Sequence, residues 1–173
     1  MRKALLCFAM VLVAACGNGR EAQEAAPTTP AAAPTPRCTQ ATPAPPPAEE
    51  EPGKTKPDVR VPEGDPPCEL VVQDIYAGTG DAVQPGDTVT IQYVGVSWST
   101  GEQFDSSWER GEPATFPLGQ LIRGWQEGIP GMKEGGRRRL IIPPDLGYGA
   151  QPPPGIPPNE TLVFVIDLIE VER

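Results

Sequence analysis

The chain has 173 residues, room for one ordinary domain with accessory segments. Its formal net charge is -9, and -8 of that falls on residues 68–173, with 15 Asp and Glu against 7 Lys and Arg. Such an acidic surface repels phosphate backbones and argues against nucleic acid as a partner. Histidine is absent, which excludes Ser-His-Asp and Cys-His nucleophiles and most zinc sites, so neither a metal nor a cofactor is expected.

Met1-Arg2-Lys3 is a short cationic start, and an apolar run follows from Ala4 to Ala15. The run is too short for a permanent membrane span and ends in small residues, which predicts a secretory signal peptide over 1–15. Val13-Ala14-Ala15-Cys16-Gly17 resembles the lipobox of bacterial lipoproteins. The resemblance implies that the Cys16 thiol receives a diacylglycerol and that cleavage makes Cys16 the first residue, a lipid anchor to the membrane. Gly17 rather than Asp after that cysteine implies, under the sorting rule of diderm bacteria, the outer membrane facing the periplasm. Cys7, inside the apolar run, reads as a small hydrophobe.

Residues 16–67 read as a lipidated N-terminus and a disordered linker. From 18 to 67 there are 13 of the 24 prolines, set among Ala, Thr and Glu, and no aromatic residue. This composition buries too little apolar area to offset the entropy of ordering. As a coil of about 50 residues the segment spans roughly 40 Å, and fully extended roughly 150 Å. Cys38 and Cys68 remain after lipidation, in an oxidising compartment. They are left to pair with each other, to bridge to another chain, or to stay as thiols, and the sequence leaves these open.

Every Phe, Tyr and Trp except Phe8 lies at or after Tyr76, so the folded domain is 68–173. Glu69 to Tyr76 is β-prone. Pro85-Gly86-Asp87 turns the chain into Thr88 to Val96, where Val89, Ile91 and Tyr93 alternate with polar partners as in a half-buried strand. Leu121 to about Gly128 predicts one short helix with Leu121, Ile122, Trp125 and Ile129 on one face, stopped by Gly128 and Pro130. Arg137-Arg138-Arg139 leads into Leu140-Ile141-Ile142, and alternation predicts arginines on the solvent face of that strand. A Gly- and Pro-rich loop fills 145–158. The run from Thr161 to Ile169 is apolar almost throughout and reads as a central strand. Short antiparallel strands with one helix make an α+β domain.

Several motifs in this domain are similar to FKBP-type prolyl isomerases. They are Tyr93-Val94-Gly95, Phe104-Asp105-Ser106-Ser107, Leu118-Gly119, and Leu121-Ile122-Arg123-Gly124-Trp125. Gly131-Met132, Ile142-Pro143, Tyr148-Gly149 and the stretch Gly155-Ile156-Pro157-Pro158-Asn159 before Leu162-Val163-Phe164 complete the set. They occur in order over essentially all of 68–173, without a large insertion. The resemblance implies an antiparallel β-sheet half-wrapped around one short α-helix, and cis/trans isomerisation of X–Pro bonds in proline-containing polypeptides, here in the folding of exported proteins. It implies Trp125 as the floor under the proline ring, with Tyr93, Phe104, Leu121, Ile122 and Phe164 as walls and Ile156 in support. The Ile122 backbone N–H would donate to a substrate carbonyl and the Tyr148 hydroxyl would donate at the mouth. Asp105, held by Tyr93 and Arg110, would border the reacting carbonyl. Macrolides such as rapamycin and tacrolimus are implied as ligands.

The chemistry suits a chain without imidazole. Rotation about X–Pro must break amide resonance, a barrier of about 18–20 kcal/mol, and no bond to hydrogen changes. The twisted amide has lost charge separation, so a dry apolar pocket favours it over the planar ground state. A binding module on the same fold is the alternative class, and Asp105, Trp125 and Tyr148 together argue against it. Two departures bear on ligand preference. Ala114 stands where many members carry a large aromatic, which predicts a widened wall, and Gln151-Pro152-Pro153-Pro154 makes a stiff loop.

Overall fold

The computed structural model describes residues 38–40, 42 and 52–173. The signal peptide of 1–15, the lipidation of Cys16 and the linker over 16–37, 41 and 43–51 lie outside the described residues.

Among the described residues six strands and one α-helix follow in chain order: β1 (Val71–Tyr76), β2 (Thr88–Ser97), β3 (Gln103–Ser106), β4 (Ala114–Pro117), α1 (Arg123–Gly128), β5 (Arg137–Ile142) and β6 (Leu162–Glu172), the six strands forming one sheet. The strand order is β1-β5-β6-β2-β3, with β4 also paired to β2, and every pairing is antiparallel. The apolar run at 162–169 is central, as its composition predicts: β6 lies between β5 and β2, with Phe164 opposite Leu140 on one side and Gly95 on the other.

One main apolar cluster joins α1 to the sheet. Val89, Ile91, Leu140, Ile142, Leu162 and Ile166 are fully buried in it, with Ile129 from the end of the helix. Burying a side chain of this size stabilises the fold by about 1.5–3 kcal/mol. The helix is shorter than its periodicity predicts. Leu121 and Ile122 are extended, and regular α-helix begins only at Arg123. Gly124 lets the helix lie close to β5, since a Cβ there would come 2.4 Å from Ile142 Cγ2.

The three arginines of β5 correct the solvent-face expectation, because all of them are buried. Each finds partners that alternation cannot reveal. Arg137 pairs with Asp167 of β6 at 2.5 Å. Arg138 pairs with Asp74 of β1 and donates to the carbonyls of Gly128, Ile129 and Pro130, where the helix ends. Arg139 donates to the Gln73 side-chain carbonyl. Buried charges persist when they are paired and hydrogen-bonded, and these are.

A second correction concerns where order begins. Residues 52–67, read from composition as part of the disordered linker, lie against the domain. Val59 and Val61 pack with Trp98 on a separate cluster of Val71, Ile141 and Val163. The Gly53 N–H donates to Asp167 Oδ2 at 2.8 Å, and the Thr55 carbonyl accepts from Arg137 Nη2 at 3.0 Å. Cys38 and Cys68 form a disulfide, and Thr39 bridges to Pro67 beside it. The segment is held by valines, backbone groups and a cystine, none of which an aromatic count detects.

Candidate functional site

The strand pairings converge on one cavity of about 220 Å³, lined by Tyr93, Phe104, Asp105, Phe116, Leu121, Ile122, Trp125, Tyr148 and Phe164. All eight residues assigned from the resemblance to direct contact are in this lining. Of the two supporting residues, Arg110 reaches it through hydrogen bonds, and Ile156 belongs to the buried core without lining the cavity.

Trp125 forms the floor and is 4% exposed. Its ring meets Phe164 at 5.0 Å and 87°, and Tyr93 at 5.3 Å and 84°, both edge-to-face. This geometry sets the positive ring edge on the negative face and adds about 0.5–1.5 kcal/mol per pair beyond burial. Phe104 stands edge-on to Phe164 at 5.5 Å. Gly95 makes room for that pair, since a Cβ at 95 would lie 2.7 Å from both Phe104 Cζ and Phe164 Cε1.

Phe116 is the wall residue that sequence reasoning missed. β4 alternates, so Ala114 and Phe116 share a face, and Phe116 meets Trp125 at 6.4 Å and Tyr93 at 6.3 Å. Phe116 thus adds an aromatic to the lining from the strand face that it shares with Ala114. The alternation Ala114-Thr115-Phe116-Pro117 carried the signal.

A polar triangle borders the apolar lining. The Tyr93 hydroxyl donates to Asp105 Oδ2 at 2.6 Å, Arg110 Nη1 donates to Asp105 Oδ1 at 2.7 Å, and Arg110 Nη2 donates to the Tyr93 oxygen at 2.7 Å. The Arg110 guanidinium also lies 5.4 Å from the centre of the Tyr93 ring. Burial, reinforced by the hydrogen bond to the Asp105 carboxylate and opposed by Arg110, pushes the Tyr93 hydroxyl up to about 12. The Tyr93 and Asp105 hydrogen bonds hold Arg110 charged more firmly than usual. Burial and the Asp105 charge raise Tyr148 as well.

Besides the buried Trp125 Nε1, two donors on cavity-lining residues have no hydrogen-bond acceptor among the described residues. The Ile122 N–H is at the N-terminal boundary of α1, where a helix leaves its first amides unpaired. The other is the hydroxyl of Tyr148, a residue 38% exposed at the rim. The site thus offers an apolar floor and walls, two donors for carbonyl oxygens, and a carboxylate fixed by three hydrogen bonds, from Tyr93, Arg110 and the Ser106 N–H.

Comparison with known proteins agrees with this geometry. The family described as FKBP-type peptidyl-prolyl cis-trans isomerase matches residues 80–169. The chain is similar to an FK506-binding protein of Streptomyces anulatus, 53% identical over 120 residues that cover 67% of this chain and 97% of the relative. It is similar to a probable FK506-binding protein of Corynebacterium glutamicum, 54% identical over 66% of this chain and 97% of the relative. The crystal structure of FkpA from Escherichia coli superposes with a TM-score of 0.57 at 48% identity, covering 60% of this chain and 48% of that one.

Proposed function

The chain belongs to the FKBP-type peptidyl-prolyl cis-trans isomerase family, and from that premise we propose that the cavity over Trp125 is where an X–Pro segment is bound and its amide twisted. The observation that carries this reading is the aromatic box of Trp125, Tyr93, Phe116 and Phe164 beside the unpaired Ile122 N–H. The proline ring packs on the Trp125 indole. The Ile122 N–H and the Tyr148 hydroxyl hold carbonyl oxygens of the substrate. Asp105, fixed by Tyr93 and Arg110, lies against the carbonyl that rotates.

The acceleration arises from surroundings rather than from bond chemistry. A planar amide is the more polar state, so removing water from around it costs more than for the twisted one. Interactions that favour the twisted state alone lower the barrier, and each 1.4 kcal/mol gives about tenfold. Rapamycin and tacrolimus occupy the same cavity in this reading, and the names of the two FK506-binding relatives support it.

In the cell, the substrates we propose are exported proteins folding near the membrane. The lipobox-like Val13 to Gly17 supports a lipid anchor at Cys16, and the Cys38–Cys68 disulfide fits an oxidising compartment such as the periplasm. The test of the activity site is line-broadening exchange on an Ala-Pro-Phe peptide, with and without the purified chain. Catalysed exchange that vanishes in Trp125→Ala is expected. Equal exchange in that variant would put the reaction elsewhere.

A further inference from the structure

The segment 52–61 runs past the turn that carries Arg110, and it is fixed on both sides of the point of contact. Before that point, Gly53 and Thr55 are bonded to Asp167 and Arg137, a pair whose side chains are only 1% and 4% exposed. After it, Val59 and Val61 pack on the outer apolar cluster. Lys56 lies between these anchors. Its Nζ donates to Glu109 Oε1 at 3.1 Å, and the same oxygen accepts from Gln103 Nε2 of β3 at 2.6 Å. Both contacts hold the Glu109 carboxyl below its ordinary range, Gln103 first and Lys56 second.

Glu109 is the middle residue of the 3-10 turn Trp108–Arg110, which ends at Gly111 in the left-handed region. No side chain caps the start of this turn. Arg110, the next residue, makes two of the three bonds of the triangle that fixes Asp105 and Tyr93. Whatever steadies the turn therefore steadies the carboxylate at the cavity edge.

We propose that the segment 52–61 is a working part of the isomerase, and that Lys56 and Glu109 are positioning residues that brace the Arg110 turn. This rests on the reading above that Asp105 borders the rotating carbonyl. An isolated surface ion pair is worth little, because two long side chains must be ordered to make it and water screens it. Here the backbone carrying Lys56 is already ordered by the buried pair and the valines, and Gln103 orders Glu109. Much of the ordering cost is thus met before the contact forms, and the contact acts on geometry at Arg110 rather than on global stability.

The experiment uses the full chain carrying Lys56→Met, Glu109→Gln, the single reversals Lys56→Glu and Glu109→Lys, and the double reversal. The expected result is a drop of about two- to fivefold in kcat with KM unchanged in every single variant. The double reversal should regain at least half of the wild-type kcat. Melting temperatures should stay level throughout. Independently of activity, the Arg110 side-chain N–H signals in nitrogen-15 NMR should shift and exchange faster in Lys56→Met and Glu109→Gln. Unchanged Arg110 signals in both variants overturn the brace, whatever the kinetics. So does a double reversal no better than its worse parent. Loosened Arg110 signals in a chain whose catalysis is untouched would leave the brace standing and sink the role given to Asp105.

Discussion

The Tyr93 hydroxyl donates a 2.6 Å hydrogen bond to Asp105 Oδ2, so the carboxylate at the cavity edge is oriented from inside the sheet. Asp105 is held by Arg110 from the opposite oxygen. Tyr148 has no such partner within the described residues. We therefore expect Tyr148→Phe to cost about 0.5–1.5 kcal/mol, up to roughly tenfold in kcat/KM. Asp105→Leu should cost more, roughly ten- to a hundredfold, because it also releases Tyr93 and Arg110. Stopped-flow assays of both variants decide the order, and a harsher Tyr148→Phe would reverse the roles assigned to the two residues.

The same pair sets the dependence on pH. Tyr93 is raised from about 10 to about 12, which favours its neutral, protonated form in the fold. The matching contribution to stability is complete below pH 10 and is lost as pH rises through about 12. Between about pH 5.5 and 8 the isomerisation rate should stay flat, since no proton is transferred in the proposed step. A bell-shaped rate profile in that window, abolished by Asp105→Asn, would make Asp105 an acid or base.

Asp167 lies under the Gly53 N–H, and Arg137 under the Thr55 carbonyl, so the segment before Pro66 seals a buried ion pair. A chain starting at Pro66 should still fold cooperatively, because the cluster joining α1 to the sheet contains no residue before Leu70. It should melt lower by about 5–10 °C, the effect of losing about 1–2 kcal/mol in a domain of this size. Arg137→Met in the full chain should be worse, about 3–5 kcal/mol, since it strands the Asp167 charge. Calorimetry measures both, and an unchanged melting temperature on truncation would return 52–67 to the role of passive linker.

Anchoring is tested by Cys16→Ser. Among the described residues no helix is long and apolar enough to cross a membrane. A single change at the lipobox-like motif should therefore move the protein from the membrane fraction to the soluble one. Retention of Cys16→Ser on membranes after a high-salt wash would count against the lipoprotein reading.

β2 was legible because its apolar residues recur at period two, and β6 because its apolar run is uninterrupted, whereas the four-residue strands β3 and β4 are too short to show a period. The eight cavity residues came from motif order, which carries local spacing and chemistry together. What stayed hidden depended on partners distant in sequence. Arg137 reads as a solvent-facing residue until Asp167, thirty residues on, is set beside it. Val59 and Val61 look too sparse to order a chain until Val71, Ile141 and Val163 supply the surface they cover. Phe116 stayed hidden for a different reason: in a strand of four residues only two, Ala114 and Phe116, share a face, too few for alternation to stand out.

Phe116 gives the sharpest test of the cavity, because it adds an aromatic on the strand face that it shares with Ala114. With Phe116 meeting Trp125 at 6.4 Å and Tyr93 at 6.3 Å, an aromatic stands beside the floor. Tacrolimus and rapamycin should then inhibit without the loss that a widened wall would cause. Phe116→Ala removes a partly buried ring from the lining and should weaken macrolide binding by about 2–4 kcal/mol, roughly thirty- to a thousandfold in Kd. A small X–Pro peptide covers less of that wall, so its KM should rise by a smaller factor. Ala114→Phe, by contrast, adds a second ring to the face that carries Phe116 and should lower affinity through overpacking. Isothermal titration of both variants separates the cases. Tighter macrolide binding by Ala114→Phe, with Phe116→Ala neutral, would mean that position 114 is the true wall and that Phe116 is only part of the core.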